Sequence, residues 1–203
     1  MTAPAASPIM ARMVRIRPAG ADDGPPIARI RAATWRAAYP GLIPEQTLAE
    51  RTDPVAVERE GEWRSAHSMD GVLVAEAPGE SNGDRGEHGD HGLVGFAAFG
   101  PERDEGYQLG QPQLEPPEHG RGELYAIYVL PGHWNTGAGH ALLDGVLSLA
   151  AGQEYNDVSL WVLEANARAR RFYEKAGFRL TGESGVLGGL RGLTQVRYRR
   201  LVG

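Results

Sequence analysis

Two groups of residues in this chain have the types and spacing to do chemistry. Gly137 and Gly139 sit in the segment PGHWNTGAG (131–139), between a strand-like run and a helical repeat. Glycine lets a backbone approach a ligand closely. Free N–H groups at the start of the following helix favour a phosphate or pyrophosphate. The plain alternative is a strand-to-helix turn that merely uses glycine. The spacing is not G-x-G-x-x-G, because Leu142 stands at the third position, and no Gly-Lys-Ser/Thr P-loop is present. The second group is Asn166 and Tyr173, seven residues apart and therefore on one helical face. An amide at a helix entrance and a phenol two turns on can face a single cleft. Taken singly, Asn166 reads as an N-cap and Tyr173 as core.

The elements that must position these groups follow from pattern. Glu123–Val129 is a strand rich in aromatic and branched side chains. Leu142, Leu143, Val146, Leu147 and Ala150 repeat at helical spacing up to Gly152. Val158–Leu163 is a further strand, and Asn166 precedes a helix over 167–176 whose apolar stripe is Ala169, Phe172, Tyr173 and Ala176, with Gly177 as its stop. Residues 178–181 and 194–202 read as closing strands. Earlier, 14–17 alternates as a strand, and Asp22 and Asp23 are placed to cap a helix begun by Pro25 and Pro26. Ile27, Ile30, Ala33 and Ala37 form its apolar face, and Pro40-Gly41 ends it after Trp35 and Tyr39. Short helices follow over 45–51 and 54–67, then a hairpin of 71–75 with 93–99. The order strand, glycine turn, helix, strand, helix, strand implies an α/β layer with one parallel crossover.

Composition narrows the classes. The chain has 203 residues, no cysteine and a net charge of −5. The length suits a single domain over 13–203 behind a Pro/Ala-rich tail at 1–12, with loop insertions near 78–92 and 101–122. Absent cysteine excludes a disulfide scaffold, a thiolate zinc site and a cysteine nucleophile. The acidic balance argues against nucleic acid as partner. No run approaches the length of a membrane span, and the first twelve residues lack the apolar stretch of a signal peptide, so a cytoplasmic protein without membrane contact is expected. His88, His91, Asp84, Glu87 and Asp90 lie among glycines with no well-spaced fourth ligand, which reads as a solvated insertion and no metal site.

Together, ELYAIYVLPGHWNTGAGHALL (123–143) and WVLEANARARRFYEKAGF (161–178) resemble the GNAT superfamily of N-acetyltransferases. The family's Gln/Arg-x-x-Gly-x-Gly/Ala signature here reads Trp134-Asn135-Thr136-Gly137-Ala138-Gly139, with Trp in place of the usual Gln or Arg. TWRAAYPGLIP (34–44) is similar to the substrate-side helix region of small bacterial members. The resemblance implies a mixed, mostly antiparallel central sheet with a parallel crossover at the cofactor site and helices on both faces. It implies acetyl-CoA as donor and a primary amine, small-molecule or peptide, as acceptor. By register, Ile127 N–H would polarise the thioester carbonyl and Val129 would pair with the pantetheine arm. Amides of Trp134, Asn135, Thr136, Gly137, Ala138 and Gly139 would hold the pyrophosphate, with Asn166 at the same cleft. Tyr173 matches the position that protonates the departing thiolate. Glu123 resembles the position that carries a catalytic base in some members. Its alternatives are a strand-end solvated carboxylate and a base role taken by a water relay. Trp35, Tyr39 and Tyr125 would shape the acceptor pocket, or serve as ordinary core aromatics. His133 could neutralise phosphate charge, and Arg168, Arg170 and Arg171 would meet the 3′-phosphate region or form a solvated face. A homodimer is in keeping with the family.

Without cysteine, acetyl transfer would be direct, in a ternary complex. The competing readings are a non-catalytic acyl-CoA-binding sensor on the same fold and an unrelated nucleotide-binding module. The missing P-loop lysine speaks against the last.

Overall fold

The branched and aromatic run ending at Val129 is extended, and Arg121–Val129 forms β4, the middle strand of the sheet. The computed structural model describes residues 14–77, 92–103, 120–186 and 192–202. Before β4 come β1 (Arg15–Pro18), α1 (Gly24–Ala38), α2 (Glu45–Thr52), α3 (Pro54–Ser65), β2 (Val72–Glu76) and β3 (Leu93–Pro101). After it come α4 (Ala138–Gly152), β5 (Asp157–Leu163), α5 (Ala167–Lys175), β6 (Arg179–Val186) and β7 (Thr194–Leu201). The seven strands run in the order β1-β2-β3-β4-β5-β7-β6. Among the described residues only β4 with β5 is parallel, so the mixed, mostly antiparallel sheet is the one the family resemblance implies.

Two apolar layers cover the sheet. Leu142, Leu143 and Val146 of α4 are fully buried against Ala97, Leu124, Leu160 and Val162. Each such side chain contributes about 2 kcal/mol by leaving water. Tyr173 and Phe178, from α5 and its exit, complete this layer. On the opposite face Ile27 and Ile30 of α1 pack on Val74, Leu93 and Phe96, with Ala126 and Tyr128 beside them.

Several local expectations change. Asp23 does not cap α1 with its side chain. Its carboxylate accepts the Gly20 N–H at 2.7 Å and the Arg17 guanidinium, because a cation on the adjacent strand outcompetes the helix amides. The buried face of α1 includes Ala28, Ala32 and Thr34, while Ala37 is exposed, since the helix is covered by α3 as well as by the sheet. The loop expected at 101–122 is shorter: β3 extends through Pro101, and β4 already pairs at Arg121 and Gly122. The expected tail, most of the 78–92 insertion with its His88 and His91, and residues 104–119 lie outside the described residues. No helix among the described residues is long and apolar enough to cross a membrane.

Candidate active site

The site begins with a fork in the sheet. β5 pairs with β4 only from Arg121 to Leu124. Beyond Leu124 the partner strand has separated. On its other side β4 stays with β3: Val94 accepts the Leu130 N–H at 2.8 Å, and Gly95 lies opposite Val129. Antiparallel ladders alternate, so Ile127 and Val129 occupy the positions not bonded to β3. Their N–H and C=O groups therefore point into the gap left by β5.

The chain leaving β4 turns through 131–137. The Thr136 hydroxyl donates to the His133 carbonyl at 2.8 Å, and Trp134 N–H donates to Pro131 at 3.2 Å. Of the amides expected to face phosphates, that of Trp134 is thus already engaged. Gly137 is the N-cap of α4 with φ +96°, a conformation side chains with a Cβ resist. Gly139 is not forced in the same way: a Cβ there would stand 3.4 Å from the Phe172 ring of α5, an ordinary packing contact. No side chain caps α4, and its first intrahelical bond is Ala141 to Gly137. The N–H groups of Ala138, Gly139 and His140 therefore have no partner within the helix. Such a helix start, with the positive end of the helix dipole, has the chemistry to suit an anion.

Across the gap stands α5. Asn166 Oδ1 accepts the Ala169 N–H at 3.1 Å, so this residue does cap the helix. Two turns later Tyr173 is 8% exposed, packed edge-on against Phe172 and Phe178. Burial pushes its phenol above the usual tyrosine range, and the neighbouring Tyr128 adds to the rise. Burial raises Tyr39 as well, with Tyr128 and Tyr173 acting in the same direction. Tyr128 is itself raised by burial, moderated by Trp35, Arg31 and Tyr39. Three phenols, from α5, β4 and the end of α1, are thus near enough to influence one another electrostatically. Trp35 and Tyr39 are in edge contact at 5.0 Å, which places the expected acceptor aromatics on the α1 side of that group.

Tyr125 is held apart from this group. Its hydroxyl donates to the Pro101 carbonyl, and the Arg103 guanidinium lies 4.0 Å from its ring. Arg103 also grips Glu123: its N–H donates to Oε2 at 3.0 Å and its Nε to Oε1 at 3.1 Å. Glu123 is 1% exposed, so a solvated strand-end carboxylate does not describe it. Strand alternation places its side chain opposite Leu124, on the α1 face.

Arg168 is an exposed residue that packs on the indole of the glycine turn. Its guanidinium lies 3.4 Å from the Trp134 ring, and the desolvation lowers its pKa. Arg170 turns back to the Tyr198 hydroxyl at 3.0 Å. Sequence reasoning missed Tyr128, Arg103 and Thr34. Tyr128 could have been found from alternation, since it must face away from Ile127. Thr34 and Arg103 act through contacts distant in sequence and left no local signal. Two surface concavities, of about 350 and 580 Å³, lie near His67 and near Tyr155 and hold none of the candidate residues. The fork is the better site on chemistry, and its mouth is occupied by the Trp134 indole. Among the described residues no three metal-ligating side chains cluster.

Comparison with known proteins agrees with this geometry. The model of the Acetyltransferase (GNAT) family matches residues 35–178. The uncharacterised N-acetyltransferase YuaI of Bacillus subtilis is 33% identical over 156 residues, spanning 76% of this chain and 74% of that protein. The fold is shared with the PaiA N-acetyltransferase of Thermoplasma acidophilum in complex with coenzyme A, at TM-score 0.64 and 16% identity, covering 93% of this chain and 99% of that one. YncA of Salmonella typhimurium, solved with its cofactor acetyl-CoA, superposes at TM-score 0.60 and 22% identity, with 94% of each chain covered. With a family model spanning both halves of the fork and a relative aligned over three quarters of its length, the chain belongs to the GNAT family of acetyltransferases.

Proposed function

We propose that this chain moves the acetyl group of acetyl-CoA directly to a primary amine, both substrates being bound together. The observation that carries the reading is the fork, with the backbone groups of Ile127 and Val129 facing the gap between β4 and β5. The donor supplies an acetyl group activated as a thioester. Everything else is work for the protein. The open amides of Ala138, Gly139 and His140 suit a pyrophosphate, and Asn135, Thr136 and Gly137 line the same turn. Val129 offers the pantetheine arm a strand-like backbone partner. Ile127 N–H points where negative charge develops on the thioester oxygen, the arrangement by which fixed donors lower a barrier.

Proton traffic falls to side chains. Tyr173, kept protonated by its burial, holds a proton at Oη for the departing sulfur. Glu123 lies on the α1 face of β4, the side on which Trp35 and Tyr39 also stand. Both of its oxygens are held by Arg103, so it takes the amine's proton through a water relay. With no cysteine in the chain, no acetyl-thiol enzyme forms. Trp35 and Tyr39 form the acceptor wall, and Tyr125 supports β4 beneath it.

The test is release of free CoA from acetyl-CoA across a panel of primary amines, alongside thermal stabilisation by acetyl-CoA. Stabilisation and amine-dependent CoA release support the reading. Stabilisation without turnover for any amine would shift it to a cofactor-binding sensor, and no stabilisation would overturn it.

A further inference from the structure

One acceptor atom in the fork is already saturated. The Val129 carbonyl accepts the Trp134 indole Nε1–H at 2.7 Å and the Thr34 hydroxyl at 3.1 Å. A carbonyl oxygen has two lone pairs, so both are in use. This is the oxygen that a pantetheine amide would need. One of the two donors must leave before a third can enter.

The donors differ in their freedom to go. Thr34 is 6% exposed within α1, which packs on the sheet, so its side chain stays beside the fork whichever rotamer it takes. Trp134 is only partly buried and stands on the 131–137 turn, where Asn135 and Gly137 both have positive φ. Its outer face is covered by Arg168, itself an exposed residue.

We propose that Trp134 is the gate of the cofactor fork. Its indole N–H stands in for the cofactor's amide on Val129, Arg168 holds it there by stacking, and acetyl-CoA binds by displacing it. The proposal rests on the reading of the fork as the acetyl-CoA site. Trp134 is then a positioning residue that lowers apparent affinity by the fraction of closed gate. A neutral hydrogen bond is worth about threefold to tenfold in an equilibrium.

The chain's four tryptophans give four indole N–H signals in a nitrogen–proton correlation spectrum, and Trp134→Phe identifies one of them by its loss. Titrating the wild-type protein with CoA is expected to move the Trp134 signal furthest, with loss of its protection from solvent exchange. By calorimetry, Trp134→Phe keeps a ring for Arg168 but lacks the N–H, and should bind CoA about threefold to tenfold more tightly. A merely structural tryptophan would give weaker binding on removal, never tighter. A Trp134 signal unmoved at saturating CoA, or a variant that binds CoA no more tightly, overturns the gate while leaving the cofactor reading intact. Wild-type protein that binds no CoA overturns both.

Discussion

Replacing Tyr173 with Phe separates packing from chemistry at one atom. The ring sits 5.2 Å from Phe172 and 5.9 Å from Phe178, contacts that phenylalanine keeps. Stability should change by less than about 1 kcal/mol. The kinetic effect can be bounded from the environment. An ordinary phenol near pKa ~10 facing a thiol near ~8.5 is uphill by about 2 kcal/mol as a proton donor. Burial raises the Tyr173 phenol further, which steepens that slope. Full proton transfer is therefore a poor use of this group. Its contribution comes from a hydrogen bond to the developing thiolate, at the low end of the 10²–10⁴-fold expected for positioned acids. We expect kcat to fall about 100-fold, equivalent to about 2.7 kcal/mol. The KM for acetyl-CoA should move by less than about twofold, because the lost interaction forms only as the sulfur departs. CoA release, followed with a thiol reagent at saturating donor and acceptor, gives both parameters, and a thermal melt confirms that folding is intact. A Tyr173→Phe enzyme within about threefold of wild-type kcat would refute the assignment. The same loss appearing in KM alone would make Tyr173 a wall of the cofactor site.

The remaining expectations can be checked with little more. Burial also makes Tyr39, Tyr128 and Tyr173 together set the alkaline stability: each pKa is raised in the folded state, so from about pH 10 upward the unfolded chain holds fewer protons and each phenol lowers stability by up to about 1.4 kcal/mol per pH unit until its folded pKa is passed. Urea midpoints should be flat from pH 8 to 9.5 and decline above; a flat profile through pH 11 would contradict a buried phenol. Gly137→Ala forces a Cβ into φ +96° at the N-cap of α4, which costs about 1–2 kcal/mol in urea unfolding and should weaken CoA binding in calorimetry. Glu123→Gln removes the charge from the Glu123–Arg103 pair; because Arg103 reaches solvent, the loss is set at about 2 kcal/mol, below that of a fully buried pair. If Glu123 is the base, kcat/KM falls at least about 100-fold at temperatures where the variant is fully folded. A loss confined to stability would remove Glu123 from the proton path.

What was legible in the sequence had local causes. β4, the glycine turn, α4, β5 and α5 announced themselves because periodicity, a left-handed glycine and an Asn cap act within a few residues. Asn166 and Gly177 are examples, each doing the backbone work its type suggests. The strand ends around 101 and 121 were hidden for the converse reason. Gly100 and Gly122 look like loop residues, yet they are strand positions where an aromatic ring takes the place of a side chain. A Cβ on Gly122 would stand 2.5 Å from Phe99, and one on Gly100 2.6 Å from the Tyr125 hydroxyl. The contacts that tune the site join residues far apart: Thr34 with Val129, Arg103 with Glu123, Arg168 with Trp134. No pattern within a window of residues could report them.

The geometry of the fork depends on one irregularity in β4. Gly100 pairs with Glu123 and Phe99 with Leu124, but Ala98 pairs with Ala126, so Tyr125 is the extra residue of a bulge. Below it Leu124 is the last residue facing β5; in an unbroken strand Ala126 and Tyr128 would follow in phase. The bulge shifts the phase by one, which hands the gap to the backbones of Ile127 and Val129. It also sends the Tyr128 side chain to the α1 face, where it meets Tyr39, and leaves Ile127 with Leu124 on the α4 face. The bulge is held from outside the fork. Tyr125 is tied to Pro101 through its hydroxyl, its ring covers Gly100, and Arg103 lies over that ring while gripping Glu123. A cluster that reads as an isolated buried ion pair therefore sets which amides face the gap between β4 and β5. On the proposed reading Glu123 would bear on the reaction twice, as the base on the acceptor side and through the strand phase its partner maintains.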